Sequence, residues 1–262
     1  MDLPFGQTQI SASEYAELVD RDKIVSYLEA VEATDPRPRV TCFIETIPVL
    51  LEWLDQYGRD YPWRHTTDPW RIYATEILLQ RTRADAVADM YESFFAEFPT
   101  PSAVVAADEQ TIFEHVRSLG FGEQRTRSIR DSAQLFVEQN DGDVPADLEM
   151  LQEPWRVGPY SARACLLFAY HRPLALVDSN IARIIERVFD CEMPAQPHKS
   201  DNVYALMGGF IPDQPGLARA INFALLDLGA LICTSQDPQC VECPLRACCA
   251  YPQPSNGTPR QG

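Results

Sequence analysis

From Thr41 to the end of "LARAINFALLDLGAL", apolar residues recur every three to four positions and nowhere alternate with polar ones as in a strand. That periodicity confines the chain to an all-α fold. It predicts helices over 43–57, 69–80, 83–97, 109–117, 125–139, 146–152, 159–170, 179–189, 201–208 and 215–231. Caps agree with the periods: Asp68 precedes Pro69, and Asp178 or Ser179 precedes "NIARIIERVF". Residues 1–40 are acidic, hold one predicted helix over 13–33 and end in "TDPRPR", a breaker. They read as an extension or linker. The 262 residues allow one large domain or two small ones, and no internal repeat is evident.

The net charge is −16, and only Lys23 and Lys199 among the 22 basic residues are lysines. An acidic balance ordinarily argues against nucleic acid, because phosphate binding draws on Lys and Arg. Few lysines beside abundant Asp and Glu also describe a surface adapted to a salt-loaded cytoplasm. The expectation is therefore a cytoplasmic protein of a halophilic prokaryote, and DNA stays open as a partner. Apolar runs such as "ACLLFAY" are too short to cross a bilayer, and "MDLPFGQTQISASEY" lacks the layout of a signal peptide.

Near the C-terminus, "CTSQDPQCVECPLRACC" spaces Cys233, Cys240, Cys243 and Cys249 as C-x6-C-x2-C-x5-C. Zinc sites more often use two short pairs separated by a longer loop. One compact run of four thiolates suits a [4Fe–4S] cube, which takes one cysteine per iron. Cys248 is adjacent to the run, while Cys42, Cys165 and Cys191 are scattered among apolar residues as core cysteines.

Three further features carry chemistry. In "PWRIYATEILLQRT", Glu76 interrupts a helix whose other residues suit a core, and a structural arginine partner would equally account for it. "LEMLQEPWRVGPYSARACLLFAY" reads as helix, tight turn at 154–160 and helix, either an ordinary corner or a hairpin offering N–H groups to a phosphate. In "LALVDSNIARIIERVF", Asp178 follows an apolar run and opens a helix, a position that by itself needs only an N-cap.

Together, "TEILLQRT", "VGPYS", "VDSN" and the cysteine run resemble, in order and separation, the endonuclease III superfamily of helix-hairpin-helix DNA glycosylases. The resemblance spans about residues 43–250 and implies two helical lobes. One is a six-helix barrel over 65–170 with the hairpin. The other joins 41–64 to 171–250 and carries the C-terminal [4Fe–4S] loop, followed by a tail at 251–262. The implied partner is double-stranded DNA with a mismatched or damaged base, bound by a monomer, with no membrane role.

Cleaving an N-glycosidic bond builds oxocarbenium character on the sugar, a task suited to two carboxyl groups. By resemblance Glu76, desolvated among Ile72, Tyr73, Ile77 and Leu79, is the proton-handling group, and Asp178 is the ionised one. Gln80 matches the position that fills the gap left by an extruded base, and Arg81 is placed to contact the opposite strand. Tyr73 and Trp70 either wall the pocket or belong to the core. Arg156, Val157, Gly158 and Tyr160 form the DNA-binding hairpin. Strand-cleaving relatives carry a lysine where this chain has Tyr160, and a phenol forms no Schiff base, so a monofunctional enzyme is expected.

"YPWRHTTDPW", "TEILLQRT" and "GFGEQRTRSI" resemble the archaeal enzymes that remove thymine or uracil opposite guanine. The chain ends soon after Cys249, without the further domain common in adenine glycosylases. Gln80 instead matches those adenine enzymes, which act opposite 8-oxoguanine or guanine. A non-catalytic DNA-binding iron–sulfur protein and a zinc-stabilised protein are the rival classes. The hairpin also departs from the family's Leu-Pro-Gly-Val-Gly: it reads Pro154-Trp155-Arg156-Val157-Gly158. If the replaced glycine requires positive φ, Arg156 costs about 1 kcal/mol there.

Overall fold

The computed structural model describes residues 5–251, which form α-helices, short 3-10 turns and no strand. The helices are α1 (Ala12–Leu18), α2 (Arg21–Ala30), α3 (Pro36–Tyr57), α4 (Pro69–Leu78), α5 (Ala84–Glu97), α6 (Pro101–Ala106), α7 (Glu109–Val116), α8 (Gly122–Gln139), α9 (Pro159–Phe168), α10 (Ser179–Phe189), α11 (Asp201–Gly209) and α12 (Pro215–Leu231). They build two compact units. One contains Arg59–Leu176, with 5–7 and Asp213–Arg219; the other contains Thr8–Gly58, Val177–Pro212 and 220–251.

The first unit holds α4 to α9. Helix α4 begins where Asp68 accepts the Arg71 N–H at 2.8 Å, with Pro69 in the first turn, where no intrahelical acceptor exists for an N–H. The helix packs against α8 and α9 and is buried on almost every side. Tyr73 is wholly buried, donates to the Leu151 carbonyl at 3.1 Å and meets the Phe136 ring edge-on at 5.0 Å. Trp70 donates its indole N–H to the Phe98 carbonyl at 3.0 Å. Both are therefore core residues and not pocket walls. Each contributes roughly 4–6 kcal/mol of gross apolar burial, an upper bound before entropy.

Two local expectations change in this unit. Helix α6 escapes the periodic reading because it has one and a half turns; Thr100 caps it by accepting the Ala103 N–H at 3.2 Å. The helix expected over 146–152 is only a 3-10 turn, Met150–Gln152. Asp147 starts that turn by accepting the Met150 N–H at 2.9 Å, and Pro154 closes the segment.

In the second unit the acidic N-terminal stretch is an integral part of the core. Tyr15, Ile24, Val25 and Leu28 are buried, and Tyr15 donates to the Phe210 carbonyl at 2.6 Å. The single helix expected over 13–33 is two, because Asp20 caps a new start by accepting the Lys23 N–H at 3.0 Å. "TDPRPR" does not break the chain. It opens α3, since proline is tolerated in a first helical turn. Phe43 of α3 packs on Phe210 at 4.8 Å and on Phe189 of α10 at 5.7 Å. The expected tail at 251–262 lies outside the described residues except for Tyr251. Among the described residues no helix is long and apolar enough to cross a membrane.

Candidate active site

Glu76 lies in the buried body of α4 and is 7% exposed. Its charge reaches the Cys165 thiol of α9: burial raises that thiol's pKa first, and Glu76 raises it further. The glutamate thus sits inside the first unit, as its apolar neighbours in sequence predict.

The end of α4 is held by a residue the sequence reading did not single out. Arg125 of α8, 3% exposed, donates Nη1 to the carbonyls of Ile77 at 2.8 Å and Leu78 at 2.7 Å. Its Nη2 reaches the Gln80 carbonyl at 2.5 Å, and its Nε the Gly120 carbonyl at 2.9 Å. One guanidinium therefore satisfies the carbonyls of Leu78 and Gln80 and adds a second donor at that of Ile77, which also accepts the Gln80 N–H at 3.3 Å. Burial, and then the charge of Arg156, lower its pKa. Gln80 is half-buried and donates Nε2 to the Arg156 carbonyl at 3.2 Å, which ties α4 to the hairpin. Arg81, exposed with φ 55°, lies over the ring of Phe121 at 6.0 Å, and Phe121 is itself 51% exposed with φ 53°.

In the hairpin the Val157 N–H donates to the Pro154 carbonyl at 3.1 Å, closing a turn whose third residue, Arg156, has φ 63°. Such a turn favours glycine, so the expected strain is present. Val157 itself is buried, and its N–H is engaged by the turn. Gly158 is extended, with φ −114° and ψ −178°, and a Cβ built there would meet nothing within 4 Å. Neither the backbone nor packing requires glycine at 158; close approach of an external group would. Half-buried Tyr160 follows in the first turn of α9.

Asp178 belongs to the second unit. Its Oδ1 accepts the N–H groups of Asn180 at 2.9 Å and Ile181 at 2.8 Å, and its Oδ2 accepts from the Asn180 amide at 3.0 Å. Burial nevertheless raises its pKa, and these donors together with Arg183 oppose the rise. The helix terminus favours the ionised form, as expected, and the burial that opposes it arises from the fold. Arg183 continues the network, donating to Asn180 Oδ1 at 2.7 Å, the Gly229 carbonyl at 2.8 Å and the Cys233 carbonyl at 2.7 Å. Cys233, Cys240, Cys243 and Cys249 line one small apolar cavity with Ile232, Pro238 and Arg187. Arg187 donates to the Cys233 sulfur at 3.4 Å. Cys248 faces elsewhere: it is buried, and its thiol donates to the Leu245 carbonyl at 3.2 Å.

Comparison with known proteins settles the family. Residues 74–204 match the model of the HhH-GPD superfamily of base excision DNA repair proteins. The thymine-DNA glycosylase of Aeropyrum pernix is 37% identical over 204 residues, which is 77% of this chain and 92% of that protein. The chain belongs to the HhH-GPD superfamily. An adenine DNA glycosylase of Mycobacterium tuberculosis is 34% identical over 222 residues, 81% of this chain and 71% of its own length. The solved structure of a thermostable thymine-DNA glycosylase superposes with a TM-score of 0.73 at 28% identity, covering 83% of this chain and 98% of that one. The all-helical architecture is thus the HhH-GPD fold. The matched segment takes in Glu76, Gln80, the hairpin and Asp178, while the cysteine loop lies beyond it.

Proposed function

We propose that this protein is a monofunctional DNA glycosylase that hydrolyses the N-glycosidic bond of thymine or uracil opposite guanine and leaves an abasic site. The observation that carries the reading is the 37% identity to a thymine-DNA glycosylase across 77% of the chain. The target base leaves the duplex before reaction. As its bond to the sugar breaks, the base needs a proton and the sugar takes on oxocarbenium character. Glu76, buried in α4, gives the proton and then receives one from the attacking water. Asp178, ionised and held by two backbone N–H groups, stabilises the cation. Gln80 fills the gap in the stack. Arg81, Arg156, Gly158 and Tyr160 contact the DNA.

Tyr160 supports hydrolysis without strand cleavage. Both lysines of the chain, Lys23 and Lys199, are exposed residues of the second unit, so no lysine accompanies Glu76 and the hairpin in the first. A Schiff base to the sugar needs such an amine.

The four cysteines around the apolar cavity fit a [4Fe–4S] cluster, one thiolate to each iron. When bound, the cluster cross-links the loop from Cys233 to Cys249.

The deciding experiment incubates the protein with duplexes carrying G·T, G·U, A·G and A·8-oxoguanine, at low and at molar salt. Excision from G·T and G·U, abolished in E76Q, is the expected result. Gln80 and the 34% identity to an adenine glycosylase favour a second reading, for which excision of adenine is the signature. Binding without any excision would indicate the non-catalytic module. A covalent complex trapped by borohydride would refute the monofunctional assignment.

A further inference from the structure

The indole of Trp155 carries two guanidinium groups: Arg127 of α8 lies 4.5 Å from the ring centroid and Arg156 of the hairpin 5.3 Å. The Trp155 backbone is fixed beneath them, because Ser128 donates its hydroxyl to the Trp155 carbonyl at 2.8 Å. Two cations on one aromatic platform repel each other unless an anion joins them. The nearest carboxylate to Arg127 is that of Asp131, at 3.6 Å and with both side chains well exposed, a pairing of little strength. Arg156 makes no ion pair among the described residues. It also holds a left-handed backbone conformation that glycine would adopt without strain. In a chain of net charge −16, two guanidinium groups thus share one ring, and the one carboxylate in ion-pair range of either is the exposed Asp131.

From this geometry we infer that Arg127, Trp155 and Arg156 form a side-chain binding site for a phosphodiester of the DNA backbone. Stacking on the indole holds each planar guanidinium while leaving N–H edges free, and those edges match phosphate oxygens in pairs. Arg127 and Trp155 thereby join the hairpin as DNA-positioning residues, and Arg156 contributes its side chain where a glycine would contribute only backbone. The site rests on the reading of this protein as one that binds DNA.

The test measures binding of the intact protein to a matched duplex and to one carrying a stable abasic-site analogue, by fluorescence anisotropy between about 50 and 200 mM salt. R127A and R156G should each reduce the slope of log K against log salt by about 0.9, and should weaken binding to both duplexes alike. W155A should act on both contacts at once, with W155F retaining part of the binding because a phenyl ring still accepts a cation. R156G should in addition melt at a higher temperature than the parent while binding DNA less tightly, an opposition that a purely structural role does not produce. Wild-type slopes and affinities in R127A and R156G would overturn the inference. So would selective stabilisation by inorganic phosphate over chloride at equal ionic strength, if it were lost in R156G without any loss of DNA binding, because the site would then take a free anion. Failure of the glycosylase reading looks different: no base is excised, while salt-dependent binding and its loss in the variants persist.

Discussion

Gly229 of α12 and Asn180 of α10 are so close that a Cβ on the glycine would lie 2.5 Å from the asparagine's Cβ and 3.2 Å from its Cα. The obstructing atoms include backbone, so a side chain at 229 cannot be accommodated by a rotamer change. G229A gains up to about 1 kcal/mol of helix propensity and incurs roughly 1–3 kcal/mol of overpacking. A net loss of stability in denaturant melts is expected. Because Asn180 donates to Asp178 through both its backbone and its amide, the displaced helix start should also lower excision at saturating DNA. A variant with parental stability and turnover would mean that this contact is slack.

D178N should be more stable than the parent protein at neutral pH yet inactive. Burial raises the folded-state pKa of Asp178 above its ordinary value, so the native state binds the proton more tightly than the unfolded chain. Its contribution to stability is complete below the ordinary carboxylate range and disappears as pH rises through the folded value. At pH 7 the ionised carboxylate therefore opposes folding, whereas asparagine keeps the backbone cap on its one oxygen without the charge and gives up only the bond from the Asn180 amide. A higher Tm than the parent is expected at pH 7, with the difference shrinking as pH falls into the ordinary carboxylate range. Excision should fall on the order of 10³-fold. An unchanged or lower melting temperature at pH 7 contradicts this account.

Arg125 predicts a graded series. R125M leaves the carbonyls of Leu78 and Gln80 without their side-chain donor, and each buried unsatisfied group costs about 1–3 kcal/mol. R125K keeps a charge but has fewer donors in a less suitable geometry, so it should fall between the methionine variant and the parent. Thermal melts rank the three proteins. If methionine is tolerated as well as lysine, the carbonyls have found other donors and the clamp is dispensable.

How much of this was legible beforehand follows from where each signal resides. Asp68, Pro69 and the apolar neighbours of Glu76 are close together in the chain, so the start of α4 and the burial of its glutamate could be read directly. The glycine-like conformation of Arg156 was readable from the altered hairpin motif. By contrast, the four bonds of Arg125 reach back more than forty residues to α4 as well as to Gly120 nearby, and nothing in "GFGEQRTRSI" announces the long-range part. Trp155 and Arg127 likewise meet only through the fold. In the N-terminal helices, composition masks the core pattern. Ile24 and Leu28 stand one helical turn apart, but the surrounding acidic residues and the prolines of "TDPRPR" have the composition of a linker.

Five cysteines fall between Cys233 and Cys249, and adjacent Cys248 and Cys249 compete in sequence for the fourth place around a cluster. Geometry separates them. Cys249 shares a cavity with Cys233, Cys240 and Cys243, whereas the Cys248 thiol is buried against the Leu245 carbonyl, where desolvation first and the neighbouring Cys42 next push its pKa up. A thiol so placed packs like a small apolar side chain. C248S should therefore retain the iron content and broad visible absorption of the parent protein, with only the modest destabilisation of putting a hydroxyl where a thiol was. C249S should lose both signals, along with several degrees of thermal stability, because one iron is left without its protein ligand. Iron quantified per chain in the two variants decides the matter: depletion in C248S with retention in C249S would reverse the ligand assignment, and stoichiometric zinc in the parent protein would replace the cluster altogether.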